Sequence, residues 1–323
     1  MVYRGVQLGL ITYHLATTRR YASFVRGFGK SLFVIACGPP SNDIEWTTRF
    51  FRKLRKDYWD FRNIHGFAAH YYCGTAGTAT EYTVDQWYQL IARGLEMEAL
   101  VVQQRAAMDA VDPQRRIGLI VDEWGTWHPV EPGTNPSFLY QQSTLRDALV
   151  AATTLDIFNR HADKVVMANI AQTVNVLQAM ILTEGEKMLV TPTGHVYEMY
   201  APHQGGQAVR VLVDTESVTW QQGEKQGSLP VVAGSASLKE KTLFVTLTNC
   251  HATEAAEITV NLLGGATAAR CRARILTGEI HSHNTFEQPE VVEPKPWAVA
   301  ATGNRFTVAL PAAAVAALEI ALE

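Results

Sequence analysis

The sequence runs to 323 residues with a formal net charge of −3, 47% hydrophobic and 18% charged residues. That is enough apolar material for a large core, and the length points to about two domains. A charge so near zero argues against nucleic acid or an anionic membrane surface as the main partner.

The opening, Met1 to Ala16, has one early arginine, Arg4, and a short apolar patch at Leu8-Gly9-Leu10-Ile11 before it meets Arg19-Arg20. It has no convincing cleavage site, so it is not read as a signal peptide, and the expected location is cytoplasmic. No apolar run reaches the roughly 18 residues of a membrane span, so no membrane partner is expected. Residues 13 to 29 pattern as a helix, with Tyr13, Ala16, Tyr21, Phe24, Val25 and Phe28 in an apolar stripe and Gly29 as its C-terminal cap. Ser31 to Cys37 reads as the first apolar strand, broken by Gly38-Pro39-Pro40.

Asp43 to Asp57 reads as a second helix and Ile64 to Tyr72 as a second strand, with His70, Tyr71 and Tyr72 crowding its end. Thr83-Val84-Asp85-Gln86 has capping-box spacing. The helix it opens keeps Val84, Trp87, Leu90, Ile91 and Leu95 on one face and is expected to continue towards Ala110, stopping at Asp112-Pro113.

Ile117 to Trp127, IGLIVDEWGTW, is the third strand: a continuous apolar run of the kind buried on both faces of a parallel sheet, ending in two carboxylates and two indoles. A long loop follows, with Pro129, Pro132, Gly133 and Pro136. Tyr140 to His161 reads as a strong helix, and Lys164 to Ala171 as a fourth strand ending at Gln172.

From about Val209 the periodicity becomes two, as at Leu243, Val245 and Leu247 or Ile258, Val260 and Leu262. Further short strands are expected around Arg270 to Leu276, Phe306 to Leu310 and Leu318 to Leu322, which indicates a β-sandwich or jelly roll. The four cysteines, Cys37, Cys73, Cys250 and Cys271, are far apart and form no CxxC or Cys/His cluster. They read as buried free thiols, with neither a metal nor another cofactor indicated.

The expected organisation is therefore four strand-helix units over residues 1–184 and an all-β domain over 185–323. A closed (β/α)8 barrel needs eight such units and typically about 250 residues. Four leave two raw sheet edges, and the simplest reading is the C-terminal half of a barrel, strands five to eight, from a longer enzyme. In such barrels the C-terminal strand ends carry the chemistry. Here they present Pro39 and its neighbours, His70-Tyr71-Tyr72, Asp122-Glu123-Trp124 and Gln172. Carboxylate, aromatic and amide groups together suit a sugar site, where rings stack on apolar sugar faces and a carboxylate attacks the anomeric carbon. Tyr72 can equally fill the core, Gln172 cap the last helix, and Glu123 pair with an arginine. Alternation along the strand sends Asp122 and Glu123 to opposite sides, and Glu123 is the residue assigned to the site.

The run from Ile117 to Phe158, with Ala162 to Tyr200, closely resembles the α-L-arabinofuranosidases of glycoside hydrolase family 51 in the motifs DEWGTW, NIAQTVN and TPTGHV. The resemblance extends from about Tyr13 to the closing strand at Leu310 to Leu322. It implies a (β/α)8 barrel with a C-terminal jelly roll, retaining hydrolysis of terminal arabinofuranosyl residues, and homo-oligomers, often hexamers. Residue by residue it implies Glu123 as nucleophile, Tyr72 as the tyrosine hydrogen-bonded to it, Gln172 as an active-site glutamine and Trp127 as an indole lining the pocket.

The family's acid/base glutamate sits in an Asn-Glu motif before the helix that begins here near Tyr13. Residues 1 to 12 contain no Glu, Asp or Asn. The expected chain thus holds the nucleophile without its partner carboxyl and is weakly active or inactive alone. The alternative expectation is a non-catalytic carbohydrate-binding or assembly module carrying a vestigial half barrel.

Overall fold

The structure, a computed structural model, describes residues 13–18, 20–22, 24, 32–39, 41–56 and 63–323. In chain order the elements are β1 (Ile35–Ala36), α1 (Ile44–Arg55), β2 (Gly66–Tyr72), α2 (Val84–Leu95), α3 (Met97–Asp109), β3 (Gly118–Gly125), α4 (Leu145–Arg160) and β4 (Val165–Ile170). Next come β5 (Ile181–Glu184), β6 (Lys187–Val190), α5 (Pro192–Tyr200), β7 (Gln207–Val209), β8 (Ser217–Gln222), β9 (Lys225–Pro230), β10 (Val232–Lys239) and β11 (Thr242–Asn249). The last are β12 (Ala256–Asn261), β13 (Ala268–Thr277), β14 (Lys295–Trp297), β15 (Arg305–Leu310) and β16 (Ala314–Leu322). The chain divides into two compact units: Met1–Tyr72, Met97–Trp124 and His161–Asn169 in the first, and Cys73–Glu96, Gly125–Arg160 and Ile170–Glu323 in the second.

The first unit is built on a sheet of order β1-β2-β3-β4. Residues 13–18 are helical, as their stripe predicts; most of the expected helix beyond them, and the whole of residues 1–12, lie outside the described residues. Among the described residues of the expected first strand, Ile35–Ala36 alone joins the ladder, in parallel with Gly66 and Phe67, while Leu32 and Phe33 are exposed. At Gly38 the chain runs hard against β2, where an added Cβ would stand 1.8 Å from the Ala68 carbonyl oxygen. Only glycine fits so close an approach.

Helix α1 starts where the Asp43 side chain accepts the Trp46 N–H at 2.9 Å. It buries Trp46, Phe50, Phe51 and Leu54, and the Trp46, Phe50 and Phe51 rings meet Phe67 of β2. Thr47 Oγ1 donates to Gln104 Oε1 of α3 at 2.7 Å, which supplies a partner to two polar side chains that the α1–α3 contact buries. The fully buried Lys164 ammonium is satisfied by Asp109 Oδ1 at 2.8 Å and the Ile117 carbonyl at 3.0 Å.

Sequence periodicity merged α2 and α3 into one helix. The break falls at Glu96, whose N–H closes back on the Arg93 carbonyl at 3.1 Å, a three-residue closure that ends α2.

In the second unit α4 is buried along most of its length and packs on α2, α5 and β10. The β-sandwich beyond it has a six-stranded sheet of order β14-β13-β16-β11-β10-β7 facing the β12-β15 pair. Its core comes from the inward residues of alternating strands: Leu243, Val245 and Leu247 on β11, Phe306, Val308 and Leu310 on β15, and Leu318 and Ile320 on β16. Period-two patterning anticipated β11, β12, β13, β15 and β16.

It missed the hairpins β5-β6 and β8-β9 and helix α5. Each hairpin turns through a glycine of positive φ, Gly185 at 57° and Gly223 at 59°, followed by one polar residue. That two-residue signature was present in the sequence. Of the four free cysteines, Cys73 and Cys250 are buried as expected, but Cys37 is exposed and Cys271 half-buried.

Candidate active site

Strands β2 and β3 are neighbours that begin and end together. The Gly118 N–H donates to the His65 carbonyl at 2.8 Å, and beyond the other end the Cys73 N–H donates to Gly125 at 3.0 Å. β2 is buried over its first four residues and half-buried at His70-Tyr71-Tyr72; β3 is buried over its first four, opens at Asp122-Glu123 and is buried again at Trp124 and Gly125. The carboxylates thus follow a two-sided apolar run, beside the half-buried end of β2 at the C-terminal rim of the sheet.

At that rim Tyr72 OH donates to Glu123 Oε2 at 3.2 Å. His70, two residues earlier on β2 and so on the same face, sets Nδ1 3.6 Å from the same oxygen. Its Nε2 lies 2.9 Å from Asp122 Oδ1. Alternation along β3 was expected to part Asp122 from Glu123, yet one imidazole reaches both. The Cβ atoms diverge, but each carboxylate sits on a flexible arm, and the His70 ring on the adjacent strand offers one nitrogen to each.

The electrostatics follow. Burial, then the Glu123 charge and hydrogen bond, push the Tyr72 phenol far up, so it remains a proton donor. Burial also raises the Asp122 carboxyl, against the opposing pull of His70 and with a smaller push from Glu123. The Cys37 thiol beyond β1, although the residue is exposed, is likewise raised, first by partial desolvation of the thiol and then by Asp122 and Glu123. Sequence reasoning gave neither Cys37 nor the His70–Asp122 pair a role, since Asp122 was set aside by alternation. Glu123 itself is half exposed, at 51% of its side chain.

Gln172 and Trp127 belong to the second unit. Gln172 is exposed just past β4, with its N–H on the Val176 carbonyl at 3.0 Å and its own carbonyl accepting Met180 N–H at 3.3 Å. Trp127, 43% exposed, is held through its backbone N–H to the Gly74 carbonyl at 3.1 Å. Among the described residues no group of three or more His, Cys, Asp or Glu is placed to hold a metal ion, and no helix is long and apolar enough to cross a membrane.

Comparison with known proteins adds to this geometry. The family model "Alpha-L-arabinofuranosidase C-terminal domain" matches residues 122–314. An intracellular exo-α-L-arabinofuranosidase of Bacteroides ovatus is 37% identical over 317 residues, covering 95% of this chain and 60% of that protein. An intracellular exo-α-(1→5)-L-arabinofuranosidase of Streptomyces lividans is 23% identical over 290 residues, 85% of this chain and 42% of the relative.

Among solved structures, the GH51 arabinofuranosidase from Xanthomonas axonopodis pv. citri superposes with a TM-score of 0.88 at 38% identity, covering 96% of this chain and 62% of that one. The arabinose complex of the Thermotoga maritima α-L-arabinofuranosidase shares the fold, with a TM-score of 0.73 at 22% identity over 96% of this chain and 62% of its own. The chain thus spans about 60% of the length of the Bacteroides and Xanthomonas proteins.

Proposed function

We propose a retaining glycosidase role for this chain, which belongs to the α-L-arabinofuranosidase C-terminal domain family. The substrate class is terminal non-reducing α-L-arabinofuranosyl residues of arabinose-containing poly- and oligosaccharides. Glu123 attacks the anomeric carbon as the glycosidic C–O bond breaks and the aglycone leaves as its alcohol, and water then hydrolyses the covalent glycosyl-enzyme to arabinose and free Glu123. Tyr72 donates to Glu123 Oε2 and so fixes the carboxylate and directs the other oxygen at the sugar. Trp127 and Gln172 are the substrate-binding residues on this reading.

The observation that carries the proposal is the hydrogen bond from Tyr72 OH to Glu123 Oε2 at the common end of two adjacent buried strands. The four-stranded sheet order β1-β2-β3-β4 supports reading residues 1–184 as strands five to eight of a (β/α)8 barrel, with the sandwich domain in 185–323. The intracellular names of two relatives support a cytoplasmic setting.

Retaining hydrolysis needs a second carboxyl about 5 Å from the nucleophile to protonate the leaving oxygen. No residue of this sequence matches the one the resemblance calls for, so the chain alone is weakly active or inactive on natural linkages. The test is hydrolysis of an aryl α-L-arabinofuranoside with an activated leaving group, which needs little acid assistance. We expect slow turnover that Glu123→Gln lowers by at least about 10³-fold. Turnover indifferent to that substitution overturns the assignment.

A further inference from the structure

The segment that carries Trp127 is built in an unusual way. Its indole is 43% exposed, while the residues on either side of it, Thr126 and His128, are buried. Both flanking side chains converge on one carboxylate. Thr126 Oγ1 donates to Asp147 Oδ1 at 2.7 Å, and His128 Nε2 lies 2.9 Å from the same oxygen. Asp147 is fully buried in the first turn of α4, and its Oδ2 accepts the Thr144 N–H at 2.8 Å.

The backbone is tied as thoroughly. The Thr126 N–H donates to Gln178 Oε1 at 2.8 Å, the Trp127 N–H to the Gly74 carbonyl at 3.1 Å and the His128 N–H to Gln141 Oε1 at 2.8 Å. His128 Nδ1 meets Thr75 Oγ1 at 2.7 Å, and Gln178 Nε2 donates to the Asp147 carbonyl at 2.8 Å. Every N–H from 126 to 128 therefore has a partner, and the two side chains beside Trp127 share an anchor on a rigid helix. A loop needing only to connect two elements has no use for a buried carboxylate, whose desolvation has to be offset by such a set of donors.

We propose that Thr126, His128 and Asp147 are positioning residues for the Trp127 indole. They hold the ring in one orientation before ligand arrives, so that a sugar face meets a platform already in place. The inference rests on the proposed reading of Trp127 as a substrate contact. Ordering a side chain in advance spares its immobilisation on binding, an effect of about two- to tenfold in affinity.

The test uses the whole chain with its tryptophans replaced by 5-fluorotryptophan, the Trp127 fluorine resonance being assigned by Trp127→Phe. Thr126→Val deletes one hydroxyl at nearly constant volume, and Thr126→Ser restores it; His128→Ala removes the other tie. We expect Thr126→Val and His128→Ala to shift or broaden the Trp127 resonance alone and to weaken L-arabinose binding about two- to tenfold, with Thr126→Ser like the parent. If His128→Ala does not fold, the Val/Ser pair at 126 decides. An unchanged Trp127 resonance in folded Thr126→Val overturns the proposal. Failure of the unmodified chain to bind L-arabinose overturns instead the reading of Trp127 as a substrate contact, while the resonance still reports on the anchoring.

Discussion

Glu123 and Tyr72 act as one unit, since the phenol's proton is committed to a carboxylate oxygen 3.2 Å away. Tyr72→Phe keeps the ring and removes that donor. A hydrogen bond to a charged group is worth about 1.5–3 kcal/mol when well shielded and less at a half-exposed rim, so we expect Tyr72→Phe to slow attack by Glu123 by about tenfold. The rate of covalent modification by an activated fluoro-arabinofuranoside measures it directly.

Asp156 is fully buried in the second unit. Ser235 Oγ, Thr246 Oγ1 and Tyr200 OH all donate to its Oδ1, at 2.7, 2.7 and 3.0 Å. Burial outweighs those bonds and raises its pKa from 3.8 to about 6. The folded state then holds the proton more tightly than the unfolded chain, so this group's contribution is full below about pH 4 and is lost as pH rises through 6. The loss is about 3 kcal/mol. Asp156→Asn should flatten the fall in unfolding free energy between pH 4 and 6, as urea melts across that range will show.

Glu123 and Tyr72 stood out in the sequence because each follows an apolar run, and the structure brings their side chains within hydrogen-bonding distance. Asp147 and Asp156 did not. On a helix wheel both look like solvent-facing residues of α4, and only the packing on both sides of that helix turns them into buried anchors.

Among the elements, α2 was the easiest to read, because its start is written in local chemistry. Thr83 N–H donates to Gln86 Oε1 at 2.9 Å, and Gln86 N–H returns to Thr83 Oγ1 at 3.3 Å. Thr83→Ala should cost about 1 kcal/mol in a denaturant melt, the usual value of such a cap. The first strand shows the opposite case. Its apolar letters run from Leu32, yet among the described residues pairing is limited to Ile35–Ala36, with the close passage at Gly38 just beyond. Gly38→Ala has to displace backbone rather than a side chain, and we expect a loss of about 1–3 kcal/mol, visible as a lower melting temperature. The hairpin strands β5, β6, β8 and β9 eluded the pattern because their exposed faces carry little apolar alternation. Their glycine turns were the available clue.

For the molecule as a whole, the period-two region was enough to read a sandwich, since the inward-facing sets on β11, β15 and β16 make one core. The strand-helix units were countable as four, but how such units are completed depends on contacts that no local pattern encodes. The chain spans about 60% of the length of its Bacteroides relative. On the proposed reading, natural linkages should be cleaved about 10²–10⁴-fold more slowly by this chain than by those longer relatives, the usual worth of a positioned general acid. Parallel assays on an arabino-oligosaccharide measure that ratio.

Whether Glu123 is the nucleophile is tested by one measurement that needs no acid/base partner. Incubation with an activated 2-fluoro-arabinofuranosyl donor, followed by digestion and peptide mass spectrometry, locates the covalent sugar. We expect a single adduct on Glu123 that is absent from Glu123→Gln. An adduct on Asp122 or elsewhere, or none from a chain that binds L-arabinose, would contradict it.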